Sequence, residues 1–332
     1  MQNKRPATIK DVAAAAGVSI ATVSKFINGQ QRFSAPVEAR LKEVIARLGY
    51  RLNHQARSMV TGKTRTLGLA ILDVRNPHFA NLVKGANRVA LAREYNLLVV
   101  DLEEQASHER HLLEALSGRV DGLIVSSRIP DEALHMLDTL GKPVVFFGHA
   151  AGEGVHCVRT DGFRAAYMLG RHLVETGRQR IAFLGYARSR WNSEREAGLR
   201  QALGESGLKL SSYAVEGPTL EGGQQACASL MLGGPRPDAV VAYNDLVAIG
   251  LMHEAQALGL RVPNDVAIAG FDDIPVSRFM HPALTTVNMR SEEQGEAAMT
   301  RLLDVLQNRT TEAGEMLFEP RLVPRASTAR VA

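Results

Sequence analysis

Seven short apolar runs set the strongest constraint on this chain. They read TLGLAILDV (66–74), LLVVDLE (97–103), VDGLIVSS (120–127), PVVFFGH (143–149), RIAFLGY (180–186), AVVAYND (239–245) and VAIAGFDD (266–273), and stretches of helical pattern lie between them. A strand covered on both faces reads as a continuous apolar run, and strand-helix alternation produces parallel sheets flanked by helices. So many units predict an α/β body of two doubly wound subdomains. Ligands in such sheets bind at the carboxyl ends of the strands, which here means a cleft between the two.

The 332 residues, 45% hydrophobic and 22% charged, suit two or three folded domains. Charge is unevenly spread. Residues 1–65 hold twelve Lys/Arg against three Asp/Glu, and the remainder holds 27 against 32. That division predicts a basic module that meets a polyanion, joined to a larger body that need not. No apolar run reaches membrane-spanning length and MQNKRPATIK precedes no apolar segment, so the expected location is the cytoplasm, with no membrane partner. Cys157 and Cys227 have neither disulfide-framework nor zinc spacing, so reduced thiols and no metal are expected.

The basic module begins with Thr8 and Asp11 spaced as a capping box, before a helix whose Ile9, Val12, Ala13 and Ala16 share one face. Gly17 stops it, and Ser19 can cap a second helix that turns Val23 and Ile27 inward. Ile20, Ala21, Thr22, Ser24, Lys25 and Asn28 are left on its other faces. A third helix starts near Ser34 with Pro36 in its first turn, buries Val37, Leu41, Val44, Ile45 and Leu48, and stops at Gly49. The glycine turn sets two short helices at an angle, as in a helix-turn-helix. Hydroxyls and Asn28 can bind phosphates, Lys25 can reach guanine acceptors, and Ile20 or Ala21 can touch a thymine methyl.

IKDVAAAAGVSIATVSKFIN (9–28) resembles the DNA-binding headpiece of the LacI/GalR family of bacterial transcription regulators. The resemblance implies that Ile20, Ala21 and Lys25 read bases and that Ser19, Thr22, Ser24 and Asn28 contact phosphates. Where the family usually has Thr-Arg in the third helix, this chain has Val37 and Glu38. YRLNHQARSMVTGKTR (50–65) is similar to the family's hinge helix, with Ala56 and Arg57 kept, Leu52 in place of a proline and Met59 where a leucine enters the minor groove. The motifs PALTTV (282–287), NDLVAIG (244–250) and AGFDD (269–273) look like the family's sensor core, itself similar to periplasmic sugar-binding proteins. On that basis residues 1–50 form the headpiece, 51–65 the hinge and 66–328 the core. One subdomain takes about 66–160 plus 289–319, the other about 161–288 plus 320–328.

A sugar or similar metabolite needs paired acceptors and donors for its hydroxyls and an aromatic face for its C–H side. The resemblance assigns that work to Phe79, Asp161, Arg195, Asn244, Asp245 and Asp272, with Ser189 and Trp191 in the variable specificity loop. Local chemistry offers a plainer role for several: Asp161 and Asp245 as helix caps, Phe79 as core and Trp191 as loop cover. Thr219 stands where many members carry a further aromatic.

No GxSxG, HExxH, GxGxxG or kinase signature occurs, TGKT (61–64) lacks the earlier glycine of a phosphate loop, and HERH (108–111) reads as a solvated helix face. The expectation is therefore a regulator rather than an enzyme, without a cofactor. It would be a homodimer on pseudo-palindromic operator DNA, controlled by a small-molecule effector such as a sugar or sugar acid. A partner-protein input or a purine or nucleoside corepressor is the alternative, and the absence of leucine heptads at the end argues against a tetramer.

Overall fold

The computed structural model describes residues 7–27, 31–50, 62–128, 137, 139–148, 154–309 and 312–330. By contact the chain divides into two compact units, Met1–Thr64 and Arg65–Ala332.

The first unit holds α1 (Ile9–Ala16), α2 (Ile20–Ile27) and α3 (Ala35–Leu48). Both halves of the Thr8/Asp11 capping box are formed, and Gly17 and Gly49 end their helices in the left-handed conformation at φ 65° and 62°. Val12, Ala13, Ala16, Val23, Leu41 and Val44 form a small closed core, with Ile27, Val37, Ile45 and Leu48 packed around it.

The second unit runs, in order, β1 (Thr66–Ile71), α4 (Pro77–Ala92), β2 (Asn96–Asp101), α5 (Ala106–Ser117), β3 (Leu123–Val125), β4 (Val144–Phe147), β5 (His156–Thr160), α6 (Gly162–Glu175), β6 (Ile181–Gly185), α7 (Arg190–Gly204), β7 (Ser211–Ala214), α8 (Leu220–Leu232), β8 (Ala239–Ala242), α9 (Asp245–Ala257), β9 (Ala267–Ala269), β10 (Thr286–Asn288), α10 (Ser291–Leu306), β11 (Gly314–Phe318) and β12 (Arg321–Val323). One parallel sheet has the order β11-β5-β4-β3-β1-β2 and another the order β7-β6-β8-β9. These are two doubly wound α/β lobes, as the apolar runs predict. Central strands such as β6 and β8 are buried throughout, whereas the edge strand β7 is exposed along its length.

The chain crosses between the lobes three times: after β5, between β10 and α10, and between β11 and β12. The crossings are tied together. Thr160 Oγ1 donates to the Met289 carbonyl at 2.5 Å, Gln294 donates to Thr160 Oγ1 at 2.8 Å, and the Asp161 amide reaches the Phe318 carbonyl at 3.1 Å.

Two helix pairs pack backbone to backbone through reciprocal glycines. A Cβ on Gly85 of α4 would fall 2.0 Å from the Glu292 carbonyl of α10, and one on Gly295 would fall 2.2 Å from the Leu82 carbonyl. Gly223 and Gly250 make the same reciprocal approach between α8 and α9, at 2.1 and 1.9 Å. Only glycine fits such positions.

HERH is not wholly solvated. His108 and His111 are exposed, but Glu109 is fully buried, accepting from Ser127 Oγ at 2.6 Å and the Arg128 amide at 2.9 Å. The helical period alone does not reveal this, because the partners lie beyond β3. Cys157 and Cys227 are both buried and share no disulfide. Among the described residues no helix is long and apolar enough to cross a membrane.

Candidate functional site

On the headpiece, α2 turns Val23 into the core and leaves Ser19, Ile20, Ala21 and Lys25 exposed, with Thr22 and Ser24 half-buried. Ile20 keeps 45% of its surface in water. Ser19 Oγ caps the helix by accepting from the Thr22 amide at 3.0 Å and lies 2.9 Å from the Thr22 hydroxyl. The face thus offers a methyl-rich centre with an ammonium and hydroxyls beside it. Asn28 lies outside the described residues, as do Ala56, Arg57 and Met59 of the linker.

In each lobe the sheet order reverses beside a central strand, β1 in one and β6 in the other. A crevice opens at such a switch point, and the residues after the strands line it. From the first lobe come His78 and Phe79 at the start of α4, Ser126 to Arg128 after β3, and Phe147 with Gly148 at the end of β4. The second lobe supplies Ser189 before α7, Trp191 and Arg195 on it, Tyr243 after β8, and Phe271 to Asp273 after β9. Local caps hold the helix starts: Asn76 Oδ1 accepts from the His78 amide at 3.0 Å and Ser189 Oγ from the Trp191 amide at 3.3 Å.

Rings from both lobes meet here. Phe147 stands 6.0 Å from Trp191 and 6.4 Å from Phe79, and His78 is 6.1 Å from Trp191. Edge-to-face pairs of this kind add to the apolar burial. Trp191 packs on the core of the first lobe and faces Gly148, where a Cβ would meet the indole at 3.1 Å. The gap left beside Trp191, Gly148, Ser126 and Arg128 encloses about 20 Å³, room for roughly one water.

Arg195 lies at the centre, only 1% exposed. Its guanidinium carbon sits 4.3 Å from the Phe271 ring, 4.9 Å from Tyr243 and 5.7 Å from Trp191. It donates to the Tyr243 carbonyl, while its Nε is buried without a partner. Tyr243 in turn donates its hydroxyl to Ser189 at 2.7 Å.

Asp272 carries φ 108°, a conformation side chains rarely adopt, and its Oδ1 lies 3.4 Å from His78 Nδ1. Burial pushes the Asp272 carboxyl up to about 7, opposed by the Arg195 charge and a hydrogen bond from Asn76. Burial also pulls His78 down to about 3, helped by Arg195. Nδ1 of His78 lies 2.8 Å from the Ser291 hydroxyl, and its Nε2 is buried without a partner. On the other side of the cleft Arg128 is held by Glu104 through two bonds of 2.6 and 2.9 Å and lies 5.5 Å over Tyr186 of the second lobe.

Of the residues named from sequence, the fold brings Phe79, Ser189, Trp191, Arg195 and Asp272 together. Three others are occupied elsewhere. Asn244 caps α9 through the Val247 amide at 2.9 Å and donates to the Pro218 carbonyl at 3.0 Å. Asp245 accepts from Ser277 Oγ at 2.6 Å, Thr286 Oγ1 at 2.6 Å and the Ile274 amide at 3.0 Å, joining α9 to β10 and to the segment before it. Burial, with the Asp272 charge next, raises its carboxyl to about 8 against those bonds. Asp161 caps α6 through the Arg164 amide at 2.8 Å, at the first crossing.

Sequence reasoning missed His78, Arg128, Phe147 and Tyr243. Each lies within three residues of the end of a β-strand or at the first turn of the following helix, a signal that was available. Which rings would meet was not, because that depends on how one lobe closes on the other.

A model of the bacterial regulatory proteins of the lacI family matches residues 8–53, and one of a periplasmic binding protein-like domain matches 171–328. Catabolite control protein A of Priestia megaterium is 34% identical over 97% of this chain and 99% of its own. The HTH-type transcriptional repressor PurR of Erwinia tasmaniensis is 32% identical over 97% of each. Among solved structures, the lac repressor dimer bound to operator and the anti-inducer ONPF superposes with a TM-score of 0.89 at 24% identity, covering 98% of this chain and 100% of its own, a likeness of fold. A complex of the transcriptional regulator CelR with cellobiose gives 0.72 at 30% identity over 97% and 99%.

Proposed function

Because the chain belongs to the LacI family of bacterial regulatory proteins, we propose that it is a cytoplasmic, homodimeric transcriptional repressor whose affinity for a pseudo-palindromic operator is set by a sugar or sugar acid bound between its two core lobes. In this reading Ile20, Ala21 and Lys25 read bases in the major groove, and Ser19, Thr22, Ser24 and Asn28 hold phosphates. Ala56, Arg57 and Met59 act in the minor groove. Phe79, Ser189, Trp191, Arg195 and Asp272, with His78, touch the effector. Asp161, Asn244 and Asp245 frame the site. Residues 1–50, 51–65 and 66–328 are headpiece, hinge and core.

One observation carries the ligand half: a buried guanidinium with an unpartnered nitrogen lies over Trp191, whose ring meets His78 and Phe147 of the other lobe. A ligand there stabilises the closed arrangement, and whatever it does to operator affinity, the operator must do to ligand affinity by the same factor. The same rings favour a second reading, a purine base as corepressor, in line with the PurR relatives.

Selection of sites from a random duplex library at fixed salt, followed by titration of the winner with pooled sugars, sugar acids and nucleobases, tests both. A pseudo-palindrome whose affinity shifts with a sugar or sugar-acid pool is expected. Failure to enrich any palindrome would overturn the DNA-binding assignment, and a response to nucleobases alone would select the second reading.

A further inference from the structure

We propose that the effector carries a carboxylate, making it a sugar acid rather than a neutral sugar or a nucleobase, and that this carboxylate docks on Arg195. The inference rests on the reading of the cleft as an effector site and concerns which class of molecule fits it.

Two arginines of the cleft are treated in opposite ways. Arg128 is neutralised within the protein by a two-bond pairing with Glu104. Arg195, more deeply buried, makes no ion pair among the described residues; its one hydrogen bond goes to a main-chain carbonyl and its Nε has none. A desolvated charge without a counter-charge is costly, and a buried N–H without an acceptor adds to that cost. Aromatic faces at 4.3 to 5.7 Å compensate in part.

The nearest candidate counter-charge, Asp272, is turned instead to His78 and Asn76. Burial leaves its carboxyl only partly ionised at neutral pH, which exposes the Arg195 charge further. The second unpartnered nitrogen, His78 Nε2, belongs to a ring next to the same indole that Arg195 faces.

A planar carboxylate answers this arrangement. It supplies the missing charge and accepts from Nε and a terminal nitrogen of the guanidinium together. A neutral sugar supplies acceptors but leaves the charge uncompensated, and so does a nucleobase carbonyl. The rest of a polyol chain finds the hydroxyl-bearing Ser126 and Ser189 around the small cavity.

The full-length protein is titrated by tryptophan emission, since Trp191 is its only tryptophan, and by release or tightening of its selected operator. The probes are matched pairs: D-gluconate with D-glucitol, D-glucuronate with D-glucose, D-galacturonate with D-galactose, and hypoxanthine as the nucleobase. At least one acid should bind about tenfold or more tighter than its neutral partner, and Arg195→Gln, shown folded by its melting transition, should abolish that preference. Saturable binding by neutral sugars or hypoxanthine without a matching acid overturns the carboxylate assignment and leaves the effector reading intact. Operator binding with no response to any probe overturns both.

Discussion

His78 Nδ1 stands 3.4 Å from Asp272 Oδ1, so the first turn of α4 in one lobe touches the loop after β9 in the other, yet the two do not form an ion pair. The imidazole is neutral because burial and Arg195 hold it down at about 3, and burial holds the carboxyl up at about 7. The contact joins the lobes through a neutral imidazole and a carboxyl only partly ionised at neutral pH.

Opposite pH signatures follow from the two members. The Asp272 contribution is complete below its unfolded value near 4 and is lost as pH rises through about 7. That of His78 is complete above about 6.5 and is lost as pH falls toward about 3. Relative to wild type, Asp272→Asn should therefore gain stability as pH rises from 4 to 7, and His78→Gln should gain as pH falls from 6.5 to 4, each by up to ~1 kcal/mol per pH unit. Melting temperatures across that range check it; parallel curves for all three proteins would show that the pair does not titrate as described.

Asp245 holds three donors on a fully buried carboxyl group. Asp245→Ala strands all of them and should destabilise the core by about 2–4 kcal/mol, and Asp245→Asn by less. Urea midpoints measure both; a loss below about 0.5 kcal/mol for the alanine variant would mean water or another side chain takes over.

On the headpiece, Lys25 is exposed on α2 and Ser19 is tied into the helix start. Lys25→Ala should relax base preference at one operator position by about 1–3 kcal/mol. Ser19→Ala should instead weaken binding to all sequences alike and lower headpiece stability by about 1 kcal/mol. Competitive binding to operator variants at constant salt separates the two patterns, and a uniform loss for Lys25→Ala would move that residue to the phosphates.

Gly85 cannot carry a side chain without displacing the Glu292 carbonyl. Gly85→Ala should cost about 1–3 kcal/mol through overpacking, read as a fall in the melting temperature of the core. An unchanged transition would show that α4 and α10 separate easily.

The parts legible in the sequence are those decided within a few residues. Thr8 and Asp11, Gly17 and Gly49 specify the headpiece helices through caps, and the apolar runs mark the buried strands. Arg195 shows the limit. Its role was assigned by resemblance, but within SEREAGL it has the pattern of a solvated helix face, and its burial comes from Phe271, Tyr243 and Trp191 on three separate segments. Glu109 misled for the same reason. Asp161 and Asp245 were ambiguous because a cap and a ligand contact ask for the same residue types at the same place; Asp161 does cap its helix, whereas the cap of α9 is Asn244, one residue before Asp245. The pairing of β10 with β12 depends on residues more than 30 apart, beyond the reach of local pattern.

The reciprocal glycines of α4 with α10 and α8 with α9 bring helix backbones into direct contact, with no layer of flexible side chains to act as a cushion. Each lobe is therefore stiff along that seam and has little means of absorbing a push by internal creep. Whatever a ligand does between the lobes must emerge almost undamped at the three crossings, so the most sensitive places for altering signal without altering binding are the few bonds around Thr160, Met289 and Gln294. The core is built as two levers on a narrow pivot, and its response is tuned at the pivot.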